Sequence, residues 1–209
     1  MKLLSATPSP YARKVRIALH EKGIPFELLT EVPWNAGATA PQYNPLGKIP
    51  VLILDSGECY YESRFILEYL ELRNPEPPIY PRDTRLLLAA KRLEVLADGA
   101  CDAFVLVFME RQRPEAHRSA PWLARQQAKI AAAVDEIARL IEPGSEYAVG
   151  DSFSLGDIAV GTLLQYLDVR YPELPWRRHA HLEALAQRLW QRPSFEQTVP
   201  VKQTVVGAV

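Results

Sequence analysis

The sequence predicts an α/β domain followed by an all-α domain, a helical bundle, within 209 residues. Three observations predict it. Up to about residue 72, short apolar runs alternate with stretches of helical period. Residues 74–81 then hold four prolines in eight positions and read as a linker. Beyond them every apolar pattern has helical spacing. The boundaries fall at 1–80 and 84–209; the length by itself allows one large domain or two small ones.

The elements follow in order. Residues 2–6 form a short apolar strand, and Thr7-Pro8-Ser9-Pro10 breaks it. Ser9 is an N-cap with proline at the first helical position. Tyr11, Val15, Ala18, Leu19 and Lys22 recur at helical spacing until Gly23 stops the helix. Residues 26–29 follow as a parallel βαβ partner. Residues 31–46 carry Pro33, Gly37, Pro41 and Pro45, and are expected to be irregular with at most a short distorted helix. A strand at 51–54, a turn at 55–58 and a strand at 59–61 make a hairpin. A helix from Ser63 to Leu72 closes the domain.

In the second half, Leu86, Ala90, Leu93, Ala97, Cys101, Phe104 and Phe108 mark a long helix interrupted near Arg113-Pro114. Another runs from about Trp122 to Ile141. Ser154-Leu155-Gly156-Asp157 is a capping box that opens a third helix. A last helix holds Leu182, Leu185 and Leu189 and ends before Pro193.

Composition excludes several functions. The apolar content of 48% and charged content of 23% are those of an ordinary globular protein. A formal net charge of -1 supplies no attraction to nucleic acid or an anionic membrane. Cys59 and Cys101 make no disulfide framework, and neither they nor the four scattered histidines have metal-ligand spacing. The apolar part of the N-terminus is too short for a signal peptide, and no run approaches a membrane span. The expectation is a cytoplasmic protein with no metal, no nucleic acid and no membrane as partner.

Three features carry chemistry. Pro50 heads the strand at 51–54 and has no N–H to give, so it belongs at an edge or a strand start. The main chain of Ile49 just before it is left to pair with an extended peptide. Glu62-Ser63, at the mouth of a helix, adds a carboxylate, a hydroxyl and an anion-binding helix end. Together they point to a small peptide with a free amino terminus, with Lys48 in reach of its terminal carboxylate. Ser9 is the third feature. By itself it reads as the cap of a helix, and it follows directly on the first strand. Arg13, Lys14 and Arg16 oppose the helix dipole, which suits either an anion at the tip or a solvated basic face.

The β-α-β then β-β-α order resembles a thioredoxin-like domain, with Ser9-Pro10-Tyr11-Ala12 where redox relatives carry C-x-x-C. Dithiol chemistry is therefore excluded at that position. With Asn44-Pro45-Leu46-Gly47-Lys48-Ile49-Pro50-Val51-Leu52, Glu62-Ser63 and Ser154-Leu155-Gly156-Asp157-Ile158-Ala159, the chain resembles the glutathione S-transferase family over essentially its whole length. The resemblance implies a cis Pro50, with Ile49 holding the cysteinyl main chain of glutathione. It implies that Glu62-Ser63 holds the γ-glutamyl end, that Lys48 helps bind the tripeptide, and that Ser9 stabilises the thiolate. Tyr11 competes for that last role, and Ser5 and Thr7 occupy the region of the N-terminal tyrosine of other subfamilies; Ser9 is preferred. Serine at this position disfavours the thiol exchange of cysteine-bearing members.

The expected protein is a homodimer that conjugates glutathione, its co-substrate, to a small hydrophobic electrophile, as in detoxification. Its second-substrate pocket would draw on Tyr11, Trp34, Phe104 and Phe108, although the two phenylalanines fit core equally well. The alternatives are a non-catalytic glutathione-binding or regulatory protein on the same scaffold, and a glutathione-dependent reductase or dehalogenase.

Overall fold

The computed structural model of the chain describes residues 1–205. The chain divides into two compact units, Met1–Ile79 with the segment from Trp190 onward, and Tyr80–Leu189.

The first unit is thioredoxin-like. It contains β1 (Lys2–Ser5), α1 (Pro10–Glu21), β2 (Glu27–Thr30), α2 (Ala40–Tyr43), β3 (Val51–Ile53), β4 (Cys59–Tyr61) and α3 (Ser63–Arg73). The sheet order is β2-β1-β3-β4. β1 and β2 run parallel, with α1 as the crossover that a parallel pair needs, while β3 is antiparallel to both β1 and β4. Gly23 stops α1 at φ +62, and Gly57 turns the β3–β4 hairpin at φ +87, both in the left-handed region that a Cβ disfavours. Leu3, Val15, Ala18, Leu19, Leu52, Ile66 and Leu70 are fully buried.

Lys22 ties the end of α1 to the proline-rich stretch. Its side chain is fully buried, and the ammonium donates to the Asn74 carbonyl at 2.7 Å and the Pro77 carbonyl at 2.9 Å. A carboxylate oxygen of Glu71 lies 2.7 Å away and balances the charge.

The basic residues of α1 form neither an exposed face nor a free cluster at its tip. Arg13, Lys14 and Arg16 are at most 4% exposed. Arg13 donates to Thr198 Oγ1 and to the Phe195 carbonyl, both at 3.3 Å, and lies over the Phe195 ring. Arg16 donates to the Thr7 carbonyl at 3.0 Å. Burial, then the charge of Arg16, brings the Arg13 guanidinium down to about 9, and burial brings Arg16 down to about 10. Both remain cationic at neutral pH.

These contacts return the C-terminal segment to the first unit. Arg192 pairs with Glu21 through two hydrogen bonds of 3.0 and 2.8 Å, and α8 (Pro193–Glu196) follows it. The sequence pattern groups these residues with the helical domain, because no local signal marks their return to α1.

The second unit is helical. It holds α4 (Thr84–Gln112), α5 (Ala120–Leu140), α6 (Leu155–Arg170) and α7 (Ala180–Trp190), with single 3₁₀ turns at Glu115–His117 and Trp176–Arg178. The stripe Ala90, Leu93, Ala97, Cys101 and Phe104 on α4 is buried. The helix stops at Arg113, before Pro114, whose ring and missing N–H forbid continuation. The Glu110 carboxylate spans this break, accepting from the Ser119 N–H at 2.7 Å and from Arg113 at 3.3 Å.

Helix α6 is buried at almost every position through Leu167, as expected of a central helix apolar all round. Its capping box is formed. Asp157 Oδ2 accepts from the Ser154 N–H at 2.9 Å, and Ser154 Oγ accepts from the Gly156 N–H at 3.3 Å. Asp157 Oδ1 also accepts from the Ala148 N–H at 2.7 Å, which binds the preceding loop to the helix start. A Cβ on Gly156 would meet Val149 and Leu93 at 3.2 and 3.3 Å. Among the described residues, no helix is long and apolar enough to cross a membrane.

Candidate functional site

Strand register brings the predicted residues to one end of the sheet. Leu4 on β1 faces Val51 on β3, and Val51 faces Tyr61 on β4. The next positions outward are Ser5, Pro50 and Glu62, so the exit of β1, the entry of β3 and the exit of β4 lie side by side. Neighbouring strands are about 4.8 Å apart, so three of them span about 10 Å. Helices α1 and α3 both begin at this end, and their first-turn N–H groups give it positive polarity.

Ser9 reaches this end through a tight turn in which its N–H donates to the Ala6 carbonyl at 3.1 Å. It is the N-cap of α1, with φ −67° and ψ 119°, and its Oγ accepts from the Ala12 N–H at 3.3 Å. The hydroxyl is half-buried, and its own hydrogen donates to no group among the described residues. The neighbouring hydroxyls are already spent. Ser5 is buried and donates to the Ala6 carbonyl at 3.4 Å, and Thr7 donates to the Val201 carbonyl at 2.9 Å. Tyr11 is half-buried at the second position of α1.

The Ile49–Pro50 peptide is cis. The ladder begins at Val51, and the Ile49 main chain makes no hydrogen bond among the described residues. The Ile49 side chain packs against the cluster of Leu4, Ala40 and Val51. Asn44, buried, holds the approach to it. Its Nδ2 donates to the Lys48 carbonyl at 2.8 Å, and its Oδ1 accepts from the Leu46 N–H at 2.9 Å. Lys48 is exposed.

Glu62 is the sole non-glycine residue with positive φ among those described, at +73°. Such a conformation costs about 1–3 kcal/mol and persists where the surroundings impose it. As N-cap of α3, Glu62 accepts through Oε2 from the Arg64 N–H at 3.2 Å and through Oε1 from the Ser63 hydroxyl at 3.2 Å. The carboxylate stays exposed while Ser63 is buried beneath it.

Two organising residues escaped the sequence reading. Asn44 was legible as an Asx turn in Asn-Pro-Leu-Gly. Glu31 had no local signal, because it acts across eight residues. Its carboxylate accepts from the Thr39 N–H and hydroxyl, both at 2.8 Å, and from the Ala40 N–H at 2.9 Å. It thereby closes the loop that carries Trp34, whose side chain is partly exposed.

In the second unit, Phe104 is a core side chain, edge-on to Tyr166 with centroids 4.9 Å apart. Phe108 is half-buried with the Arg170 guanidinium 5.1 Å above its ring. Among the described residues, no group of three His, Cys, Asp or Glu side chains is placed to hold a metal ion.

Comparison with known proteins decides the family. Residues 8–73 match the glutathione S-transferase N-terminal domain, and residues 120–188 match the C-terminal domain. The chain belongs to the glutathione S-transferase family. It is 39% identical to the uncharacterised GST-like protein YibF of Escherichia coli (strain K12), over 97% of this chain and 100% of that protein. A glutathione S-transferase from Methylobacterium radiotolerans, solved in complex with glutathione sulfonate, superimposes with a TM-score of 0.97 at 59% identity. The match covers all of this chain and 98% of that one. A second transferase, from Methylobacillus flagellatus with glutathione bound, reaches a TM-score of 0.90 at 40% identity over 96% and 99% of the two chains. Ser9, Lys48, Ile49, Pro50, Glu62 and Ser63 all fall within the matched N-terminal domain.

Proposed function

We propose that this protein is a glutathione transferase that binds the tripeptide across the sheet end and activates its thiol through Ser9. The convergence of the β1 exit, β3 entry and β4 exit carries the proposal. The unpaired Ile49 main chain takes the cysteinyl backbone as an added strand. The Glu62 carboxylate takes the γ-glutamyl ammonium, and the start of α3 at Ser63 takes the α-carboxylate. Lys48 reaches the glycyl carboxylate.

The Ser9 hydroxyl, with its hydrogen still to give, donates to the sulfur. A free thiol has a pKa of roughly 8.5 and is about 3% thiolate at pH 7. Lowering it by about two units, within the range seen at helix N-termini, makes about 75% thiolate, roughly a 25-fold gain in nucleophile. The sulfur attacks an electrophilic carbon and a C–S bond forms. Either a halide leaves with the bonding pair, or an adjacent double bond takes up a proton from water. The electrophile is small and hydrophobic, and Tyr11 and Trp34 are the side chains of the first unit offered to it. The working form is a cytoplasmic homodimer with a role in detoxification.

The test is a thiolate absorbance titration of bound glutathione, with conjugation of a chlorodinitrobenzene, in wild type and Ser9→Ala. Wild type should show a lowered thiol pKa. Ser9→Ala should bind glutathione within a few-fold of wild type, raise that pKa and lose on the order of 10- to 25-fold in rate at neutral pH. Binding with an unshifted thiol in wild type would instead mark a glutathione-binding protein without catalysis.

A further inference from the structure

We infer that the C-terminal segment, through Gln203 and the Val201 carbonyl, is a strap that positions the turn carrying Ser9. The inference rests on Ser9 as the thiolate partner and extends that reading to residues far from it in sequence.

Thr7 is the first central residue of the turn that the Ser9 N–H closes onto the Ala6 carbonyl. All three of its polar groups are held. Its N–H donates to Gln203 Oε1 at 3.1 Å, and its hydroxyl donates to the Val201 carbonyl at 2.9 Å. Its carbonyl accepts from Arg16 at 3.0 Å. Two of the three bonds come from residues more than 190 positions away in sequence.

The strap is itself anchored along the whole of α1. Glu21, at the far end of the helix, binds Arg192 and the Ser194 hydroxyl. Arg13, one turn into the helix, binds the Phe195 carbonyl and Thr198. Thr198 in turn donates back to the Ser194 carbonyl at 2.7 Å. The segment thus runs antiparallel to α1 and reaches the catalytic turn at 201–203. This explains the buried cations of α1 without any ligand: Arg13 and Arg16 hold the strap and the turn to which it is tied.

Residues 199–205 form no regular structure and have no need of such anchorage for packing alone, since Val199 and Val201 stay about half exposed. What the anchorage accomplishes is to restrict Thr7, and through the two-residue link Pro8-Ser9 the direction of the Ser9 hydroxyl. Catalysis by a positioned donor is sensitive to small displacements. Gln203 is on this view a positioning residue, since it touches Thr7 and neither the thiol nor the electrophile.

The test uses the full chain with Gln203→Ala, Gln203→Glu and Thr7→Val. Glutamate keeps the acceptor at Oε1; alanine removes it; valine removes only the hydroxyl bond to Val201. Loss of one such bond corresponds to roughly 2- to 10-fold. In Gln203→Ala and Thr7→Val, amide hydrogen exchange at Thr7 and Ser9 should quicken by that factor or more. The thiol pKa of bound glutathione should rise, and kcat should fall 2- to 10-fold with the KM for glutathione nearly unchanged. Gln203→Glu should restore the exchange, the pH profile and the rate. Unchanged exchange and an unchanged thiol titration in Gln203→Ala would overturn the strap. A fully active Ser9→Ala protein would overturn the Ser9 reading instead, and the exchange at Thr7 would still decide the strap on its own.

Discussion

Replacing Glu62 by glycine should make the protein more stable and a poorer binder of glutathione. Glu62 sits at φ +73°, a conformation that costs a residue with a Cβ about 1–3 kcal/mol and glycine almost nothing. Against that relief, glycine loses about 0.5–1 kcal/mol in unfolded-chain entropy. Exchanging the cap at Arg64 for glycine costs a few tenths more. The balance is about 1 kcal/mol in favour of the variant, or roughly 2–4 °C in Tm for a chain of this size. Binding should move the other way. The carboxylate is exposed and already accepts from the Arg64 N–H and the Ser63 hydroxyl, so its remaining lone pairs face outward, where the γ-glutamyl ammonium is proposed to sit. A charge-assisted bond of that kind is worth roughly 1.5–3 kcal/mol, which corresponds to a 10- to 150-fold loss in affinity. Thermal unfolding and titration calorimetry with glutathione read the two effects separately. A Glu62→Gly protein that binds glutathione as tightly as wild type would refute the role assigned to the carboxylate. One that loses stability would refute the strain.

Three further outcomes follow from the same geometry. Ser9→Ala, besides slowing conjugation, should lower stability by about 1 kcal/mol in urea unfolding, because the Ala12 N–H loses its cap. Lys22→Met should cost about 3–5 kcal/mol, because it strands the Asn74 and Pro77 carbonyls and the Glu71 carboxylate; a loss under 1 kcal/mol would show the pair to be dispensable. Burial raises the Asp157 carboxyl to about 6, against the hydrogen bonds from Ala148 and Ser154 that lower it. A raised acid binds its proton more tightly when folded, so its contribution is full below about pH 4 and is lost as pH rises through about 6. Relative to Asp157→Asn, the stability of wild type should therefore fall by up to about 3 kcal/mol over that interval, and parallel pH profiles would contradict the assignment.

The helix starts show how far local chemistry reaches. Ser9-Pro10 and the box Ser154–Asp157 each satisfy orphan N–H groups within one turn, so the sequence marks them without reference to the rest of the chain. Pro50 is similar: a residue without an N–H placed at the head of an apolar run must stand where a ladder begins. The candidate site was readable for that reason, since each of its parts is a helix cap or a strand end. What could not be read was the use made of charge. Arg13 and Arg16 have the same composition whether they meet solvent, an anion or Phe195, and only the return of residues 190–203 chooses between these. Glu31, Lys22 and Gln203 likewise act on partners whose separation in sequence ranges from eight to 196 residues.

By itself, then, the sequence determined the two-part fold, the element order, the helix caps and the backbone gap at Ile49, because propensity, capping and the chemistry of proline operate over a few residues. The tertiary structure alone decided that Ser5, Pro50 and Glu62 share one end of the sheet in register. It alone turned three basic residues inward and laid the C-terminal segment along α1. Those outcomes depend on which distant groups compete for each buried donor and acceptor, and that competition is settled only when the whole unit is packed.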